Sequence, residues 1–324
     1  MKTSLVQTAV FSTLVVLLSL RTPAPAQTVG KLIQLSTIGT GQDHPILGAF
    51  GITFLTGDKF LVADKLEYDV KCFDRSGHWL SSFGGRGNAD GQFRAPGPIS
   101  ADGSQIAVAD LASIRVQLFS SDFVHAATFY TEKPVFDLKF DRRGHLWVGQ
   151  LPGKHGEMLL EYDRAGRLLR GFVTNRPSDN EFENIFTMAM RADGKLILAY
   201  LCRNVIEIWD TSGRCESTLS VPGLPAKSHQ TKISQGLFAA DISVPEENIF
   251  RSVASDRKGL IYLLVAAYTG LPERDVYVLD QQGMLISQLV LLQPSKGIAI
   301  TSGNELYSFE EERTMIRIYR IPAR

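Results

Sequence analysis

The residues best suited to chemistry are six histidines, His44, His78, His125, His145, His155 and His229, because imidazole titrates near neutrality and serves as base or metal ligand. None stands at metal-ligand spacing from another His or Cys, and there is no C-x-x-C. G-x-S-x-G and a phosphate-cradling loop are also missing from the sequence. Oxygen chemistry has one lead. The tetrapeptide Glu183-Asn184-Ile185-Phe186 recurs as Glu247-Asn248-Ile249-Phe250. Glu and Asn oxygens suit a hard cation, so Glu183, Asn184, Glu247 and Asn248 are weak candidates for Ca²⁺. The simpler reading is packing by the Phe residues and turn capping by the Asn residues. No cofactor is otherwise expected.

These residues sit within a repeat. One unit reads strand, Asp/Gly turn, apolar strand, polar loop, strand, Asp-x-x-Gly turn, strand. Its first copy runs from Gly51-Ile52-Thr53-Phe54 through Phe60-Leu61-Val62-Ala63-Asp64 and Val70-Lys71-Cys72-Phe73 to Trp79. Copies follow around Ile106–Asp110, Leu146–Val148, Leu196–Leu198, Ile261–Leu264 and Glu305–Tyr307. The runs are short, β-branched or aromatic and bounded by Gly, Asp or Pro, which suits hairpins, and none keeps a helical period. Four antiparallel strands per unit make a propeller blade. The sixth copy stops after three strands, and Lys31 to Ser36 is expected to supply the fourth, removing an open sheet edge. The expected fold is therefore all-β, a six-bladed β-propeller of four antiparallel strands per blade, closed by an N-terminal strand completing the last blade.

That fold predicts where a site lies. Loops between strands two and three share a face, here the top, with the links between blades. The long segments fall there: 221–248, 149–157, 266–275 and 309–315. Irregular loops on a rigid frame carry sites more often than tight turns do. Candidate ligand contacts are Asp137 and Arg251, at the starts of inner strands, and His155, His229, Tyr268 and Arg274 on the long upper loops. The link Val221 to Asn248 is a candidate lid. Asp64 and Asp110 are expected to bond the backbone of the loops that follow them.

Residues 83–122 carry a resemblance. The stretch Phe83-Gly84-Gly85-Arg86-Gly87, Gly91-Gln92-Phe93-Arg94-Ala95-Pro96, Val108-Ala109-Asp110 and Arg115-Val116-Gln117-Leu118-Phe119 resembles the NHL repeat. The match is partial in the first blade and architectural in the other four, where Gln150, Tyr200 and Ala266 are read in place of the aspartate. The resemblance implies a propeller scaffold, and its functions range over protein, peptide and RNA binding and a few enzymes. The leading expectation is a binding module for a protein, peptide or glycan. The alternative is a Ca²⁺-dependent hydrolase or lyase resembling gluconolactonases or streptogramin lyase.

The first 26 residues read as a secretory signal: Lys2, an apolar run from Leu5 to Leu20, then Ala24-Pro25-Ala26. The run is short for a membrane span and is followed by prolines, and no cysteine marks a lipid anchor. Residues 27–324 are expected to form a single domain, secreted or periplasmic and monomeric. The sequence has 34 basic and 34 acidic residues, and removal of Lys2 and Arg21 leaves 32 against 34. Near-neutrality gives no reason to expect nucleic-acid binding. Cys72, Cys202 and Cys215 are odd in number, and the one plausible pair, Cys202 and Cys215, falls at opposite ends of one blade, so free thiols are expected.

Overall fold

The structure is a computed structural model that describes residues 28–39, 44–175, 177–233, 242–266, 273–310 and 314–322. Six small antiparallel sheets form a six-bladed β-propeller. Blade 1 runs Ala49–Phe54, Lys59–Asp64, Asp69–Asp74 and Trp79–Gly84. Blade 2 runs Pro96–Ala101, Gln105–Asp110, Arg115–Ser120 and His125–Tyr130. Blade 3 runs Val135–Phe140, Leu146–Gln150, Leu159–Tyr162 and Leu168–Phe172. Blade 4 runs Phe186–Met190, Leu196–Tyr200, Ile206–Trp209 and Cys215–Leu219. Blade 5 runs Phe250–Ser255, Ile261–Val265, Asp275–Leu279 and Leu285–Val290. Blade 6 runs Ser295–Ile300, Glu305–Glu310 and Ile316–Arg320. Among the described residues no helix is long and apolar enough to cross a membrane, and all three cysteines are free.

Closure differs from expectation in register. The fourth strand of blade 6 is Ile33–Ile38, paired with Ile316–Arg320, so it starts two residues later than Lys31. Before it, Thr28–Gly30 adds a fifth strand, parallel to Leu285–Val290 of blade 5. The N-terminal segment thus ties two blades. Its close approach explains Gly30, where a Cβ would lie 2.7 Å from Leu289.

The second strands are buried almost throughout, as Leu61-Val62-Ala63 and Leu196 to Tyr200 show. The core divides into six clusters, each joining neighbouring blades: Val70 and Cys72 of blade 1 pack with Ile106 and Phe119 of blade 2, for example. Non-directional apolar packing between blades holds the ring, while each sheet satisfies its own backbone.

The two faces are built differently. On the lower face, turn aspartates cap the hairpins: Asp141, Asp163, Asp210, Asp256 and Asp280 each accept amides two and four residues on. Burial alone would raise the Asp141 carboxyl, but Arg143, the Trp147 indole N–H and the His145 amide outweigh it and hold it below the usual range. Asp74, Asp102, Asp163 and Asp210 are also lowered, whereas burial raises Asp69. A depressed carboxyl stabilises the fold above its unfolded pKa of about 3.9, and that stability is lost as pH falls through the folded value. The melting temperature should therefore hold from pH 7 to about 5 and fall below about pH 4, net of the opposite contribution of Asp69. Asp141→Asn should flatten that acid limb in a pH series of thermal melts.

On the upper face, Asp64 and Asp110 close the second strands. Asp64 bonds the amides of Leu66 and Glu67, as expected, but also that of Leu47 in the preceding link. The backbone amides bonded by the Asp110 carboxylate are those of Arg94 and Ala95 in the preceding link, and it also accepts from Arg115. In blade 5 the register opposes Val265, not Ala266, to the first inner-strand residue, Phe250. Val265 therefore occupies the aspartate position, one residue earlier than the sequence pattern suggests.

Candidate functional site

The six inner strands surround an axial cavity of about 630 Å³. Five or six residues per strand give it a length of roughly 17–20 Å. The inner strands run from the upper to the lower face, so their first residues form the upper mouth. There the sequence does something local. Inner strands of blades 1, 2, 3, 5 and 6 each break register at their start, and only blade 4 pairs regularly. A bulge leaves a residue without a partner in the ladder and re-aims its side chain. The displaced residues Phe50, Pro98, Phe136, Arg251 and Lys296 all line the cavity. In blades 1 and 6 the next residue is glycine for a steric reason. A Cβ at Gly51 would lie 3.0 Å from the Gly97 carbonyl, and one at Gly297 would collide with the Phe309 ring.

The mouth is two-sided as a result. Phe50, Pro98 and Phe136 stand on consecutive blades 1 to 3. Arg251 and Lys296 stand on blades 5 and 6. Glu273 lies behind the two cations: its Oε1 accepts from Arg251 Nε and Nη2 at 2.9 and 2.5 Å, and its Oε2 from Lys296 at 3.0 Å. On blade 3, Lys139 pairs with Asp137 at 2.6 Å.

Below the mouth most of the wall hydroxyls are engaged sideways, the exception being Ser255, whose Oγ has no hydrogen-bond partner among the described residues. Thr53 accepts the Ala101 amide and Ser100 the Phe140 amide, each at 3.0 Å and each from the next blade. Asp137 accepts the Met188 amide at 2.6 Å and the Thr187 hydroxyl at 3.1 Å. Ser252 both donates to and accepts from the Ile298 backbone. These bonds stitch blades 1 to 2, 2 to 3, 3 to 4 and 5 to 6. What remains toward the axis includes Ile52, Phe54 and Ile300, all half-buried. The lower face has its own depression of about 590 Å³, which shares Phe54 and Ala101 with the axial cavity. The lower face is therefore less featureless than its tight turns suggest.

The candidates from sequence divide. Asp137 and Arg251 line the cavity. Asp137 is 8 % exposed and its oxygens are engaged as above, so it acts first as a blade-to-blade clamp. His155 is exposed on the loop of blade 3, its amide bonded to Glu157, and does not line the cavity. His229 is exposed at the foot of the hairpin Gln230–Ile233 and Ile242–Pro245, and also lies off the cavity. Arg274 turns away and donates to the Leu291 carbonyl at 2.7 Å, while its buried neighbour Glu273 bonds Arg251 and Lys296 from behind the mouth. Tyr268 lies outside the described residues.

The proposed oxygen ligands do not share the cavity. Asn248 lines the cavity, but Glu183, Asn184 and Glu247 do not. Glu183 is buried beneath the insertion, held by Ser178, Lys227 and Gln230. Burial would raise its carboxyl, and the Ser178 hydroxyl and Lys227 charge reverse this and lower it. Asn184 binds Ser178 through both amide atoms, while Glu247 is exposed. Phe186 and Phe250 are fully buried, as the packing reading expects. The insertion's described part leans on blade 4, through the Arg203–Lys227 bridge and Asn180 to the Ser243 carbonyl. Its described residues thus brace blade 4, and of them only Asn248 reaches the cavity.

Among the described residues, one trio of acidic and imidazole groups is close enough to share an ion: Asp141, His145 and Glu161 on the lower face. Its oxygens already serve Arg143, Arg170, His145 and Trp147.

Sequence reasoning missed Lys296 at the mouth, Glu273 behind it and Lys139 lower on the wall. The available signal was Lys296-Gly297 matching Phe50-Gly51 at the bulge.

No protein-family model matches the chain, and no curated protein matches it. Solved structures do. The chain is similar to a streptogramin B lyase at 13 % identity, covering 87 % of this chain and 86 % of that one, with a TM-score of 0.56. It is similar to the hydrazine synthase of Kuenenia stuttgartiensis at 14 % identity, over 88 % and 99 %, with a TM-score of 0.57. It is also similar to the Swd1 β-propeller domain of Myceliophteria thermophila at 15 % identity, over 90 % and 100 %, with a TM-score of 0.55. At these identities the likeness concerns the fold.

Proposed function

We propose that this chain is an exported binding propeller that seats its ligand in the upper mouth of the axial cavity. The observation that carries the reading is the set of five bulges that turn Phe50, Pro98, Phe136, Arg251 and Lys296 onto one opening. Bulges cost ladder hydrogen bonds and concentrate beside functional sites. The reading keeps the export expected from residues 1–26 and treats residues 83–122 as an NHL-type repeat serving as scaffold. It narrows the ligand. A glycan needs many side-chain donors and acceptors, and here most inner-strand hydroxyls are already committed, Ser255 excepted. A peptide side chain or a small apolar molecule fits the wall better.

The hydrolase or lyase alternative finds less support. Among the described residues lining the cavity there is no histidine or cysteine, and the one carboxylate, Asp137, is already engaged by Met188, Thr187 and Lys139.

The test uses N-phenyl-1-naphthylamine, a neutral dye that brightens in apolar sites. Purified protein should bind it saturably at one site, and Ile52→Asp, which places a charge on the apolar wall, should lose most of that binding. Equal binding by the two proteins would rule out the axial cavity.

A further inference from the structure

We infer that the cavity takes an amphiphile with a carboxylate head: the head rests between Arg251 and Lys296, and the apolar body runs down the axis. This rests on the reading above and specifies its ligand. The mouth itself is amphipathic. Phe50, Pro98 and Phe136 supply one wall from blades 1 to 3, and Arg251 and Lys296 supply the other from blades 5 and 6. Charged residues lining the cavity, among those described, are Lys139, Arg251 and Lys296 against Asp137 alone. Lys139 sits low on the wall and pairs with Asp137, so among the described residues the mouth itself sets Arg251 and Lys296 against Glu273 behind them, and the opening favours an anion.

A carboxylate between these two cations is already part of the structure, as Glu273 joins Arg251 to Lys296 with bonds of 2.5 to 3.0 Å. A planar guanidinium carries five N–H donors and pairs well with carboxylates. Glu273 uses the Nε and Nη2 groups of Arg251 and leaves Nη1 to a second acceptor. Arg251 and Lys296 are only partly buried, with side chains 30 % and 20 % exposed, so they can be reached from the mouth. Below them the wall offers Ile52, Phe54 and Ile300 over a depth of roughly 17–20 Å. That depth suits a linear chain, which a globular aromatic acid would not fill.

The experiment is displacement of N-phenyl-1-naphthylamine from the wild-type protein by decanoate, decan-1-ol and decyltrimethylammonium, each below its micelle-forming concentration. The three share a chain and differ in head. Decanoate should displace the dye at a concentration at least about tenfold lower than either of the others, and added salt should narrow the gap. Arg251→Gln should weaken decanoate about tenfold and leave decanol unchanged. Equal displacement by the three heads would overturn the carboxylate assignment while the cavity reading stands. Displacement of bound dye by none of them would overturn the amphiphile while leaving the dye site in place. A protein that never binds the dye would remove the cavity reading and this inference together.

Discussion

Asp110→Ala should destabilise the propeller by about 3–5 kcal/mol, the range for removing one partner of a buried ion pair. Asp110 is fully buried, and Arg115, its partner at 3.2 Å, is 3 % exposed. Without the carboxylate the guanidinium stays buried, and the amides of Arg94 and Ala95 lose their acceptor. Arg115 also binds the carbonyls of Asn88 and Gln92, so the whole link between blades 1 and 2 hangs on this pair. Thermal melting should show a drop on the order of 10 °C for a chain of this size. Asp110→Asn keeps an acceptor for the link amides and should lose clearly less. A loss below about 1 kcal/mol in Asp110→Ala would mean that the link is held by packing alone.

The largest expected effect on binding is that of Ile52→Asp. Ile52 is half-buried and faces the cavity from the middle of the blade 1 inner strand. Full burial of one such side chain against an apolar partner is worth about 1.5–3 kcal/mol. A carboxylate there removes that contact and adds a charge that an apolar ligand must desolvate. Affinity for the neutral dye should fall roughly 10- to 150-fold, following about 1.4 kcal/mol per decade. The blade should survive, because Ile52 sits beside the buried cluster of Ile38, Phe60 and Phe73 rather than inside it. An unchanged circular dichroism spectrum is the control.

Much of the fold was legible because a repeat states itself several times. Strand runs, Asp/Gly turns and a missing fourth strand sufficed for six blades and their closure. The finer register was not legible. The closing strand begins at Ile33, and an extra strand at Thr28–Gly30 depends on a Gly30–Leu289 approach that no local pattern reveals. The candidate site was half legible. Asp137 and Arg251 could be placed because a residue at the start of an inner strand must lie near the axis. Lys296 escaped notice because its equivalence to Arg251 depends on two bulges, and a one-residue shift in register reverses which way a side chain points. Glu273 and Arg274 precede the strand Asp275–Leu279, and it is Glu273 that bonds the mouth cations while Arg274 bonds Leu291. His155 and His229 were correctly placed on upper loops, but loop membership says nothing about distance from the axis.

The central claim is that ligand lies on the axis with its head at blades 5 and 6. It is tested most directly by diffraction from crystals grown with 10-bromodecanoate. The account predicts one bromine anomalous peak between the inner strands, near Ile52 and Ile300, with the carboxylate about 3 Å from Arg251 or Lys296. A bromine peak on the outer strands or in the lower-face depression alone, with the axial cavity holding only solvent, would contradict it.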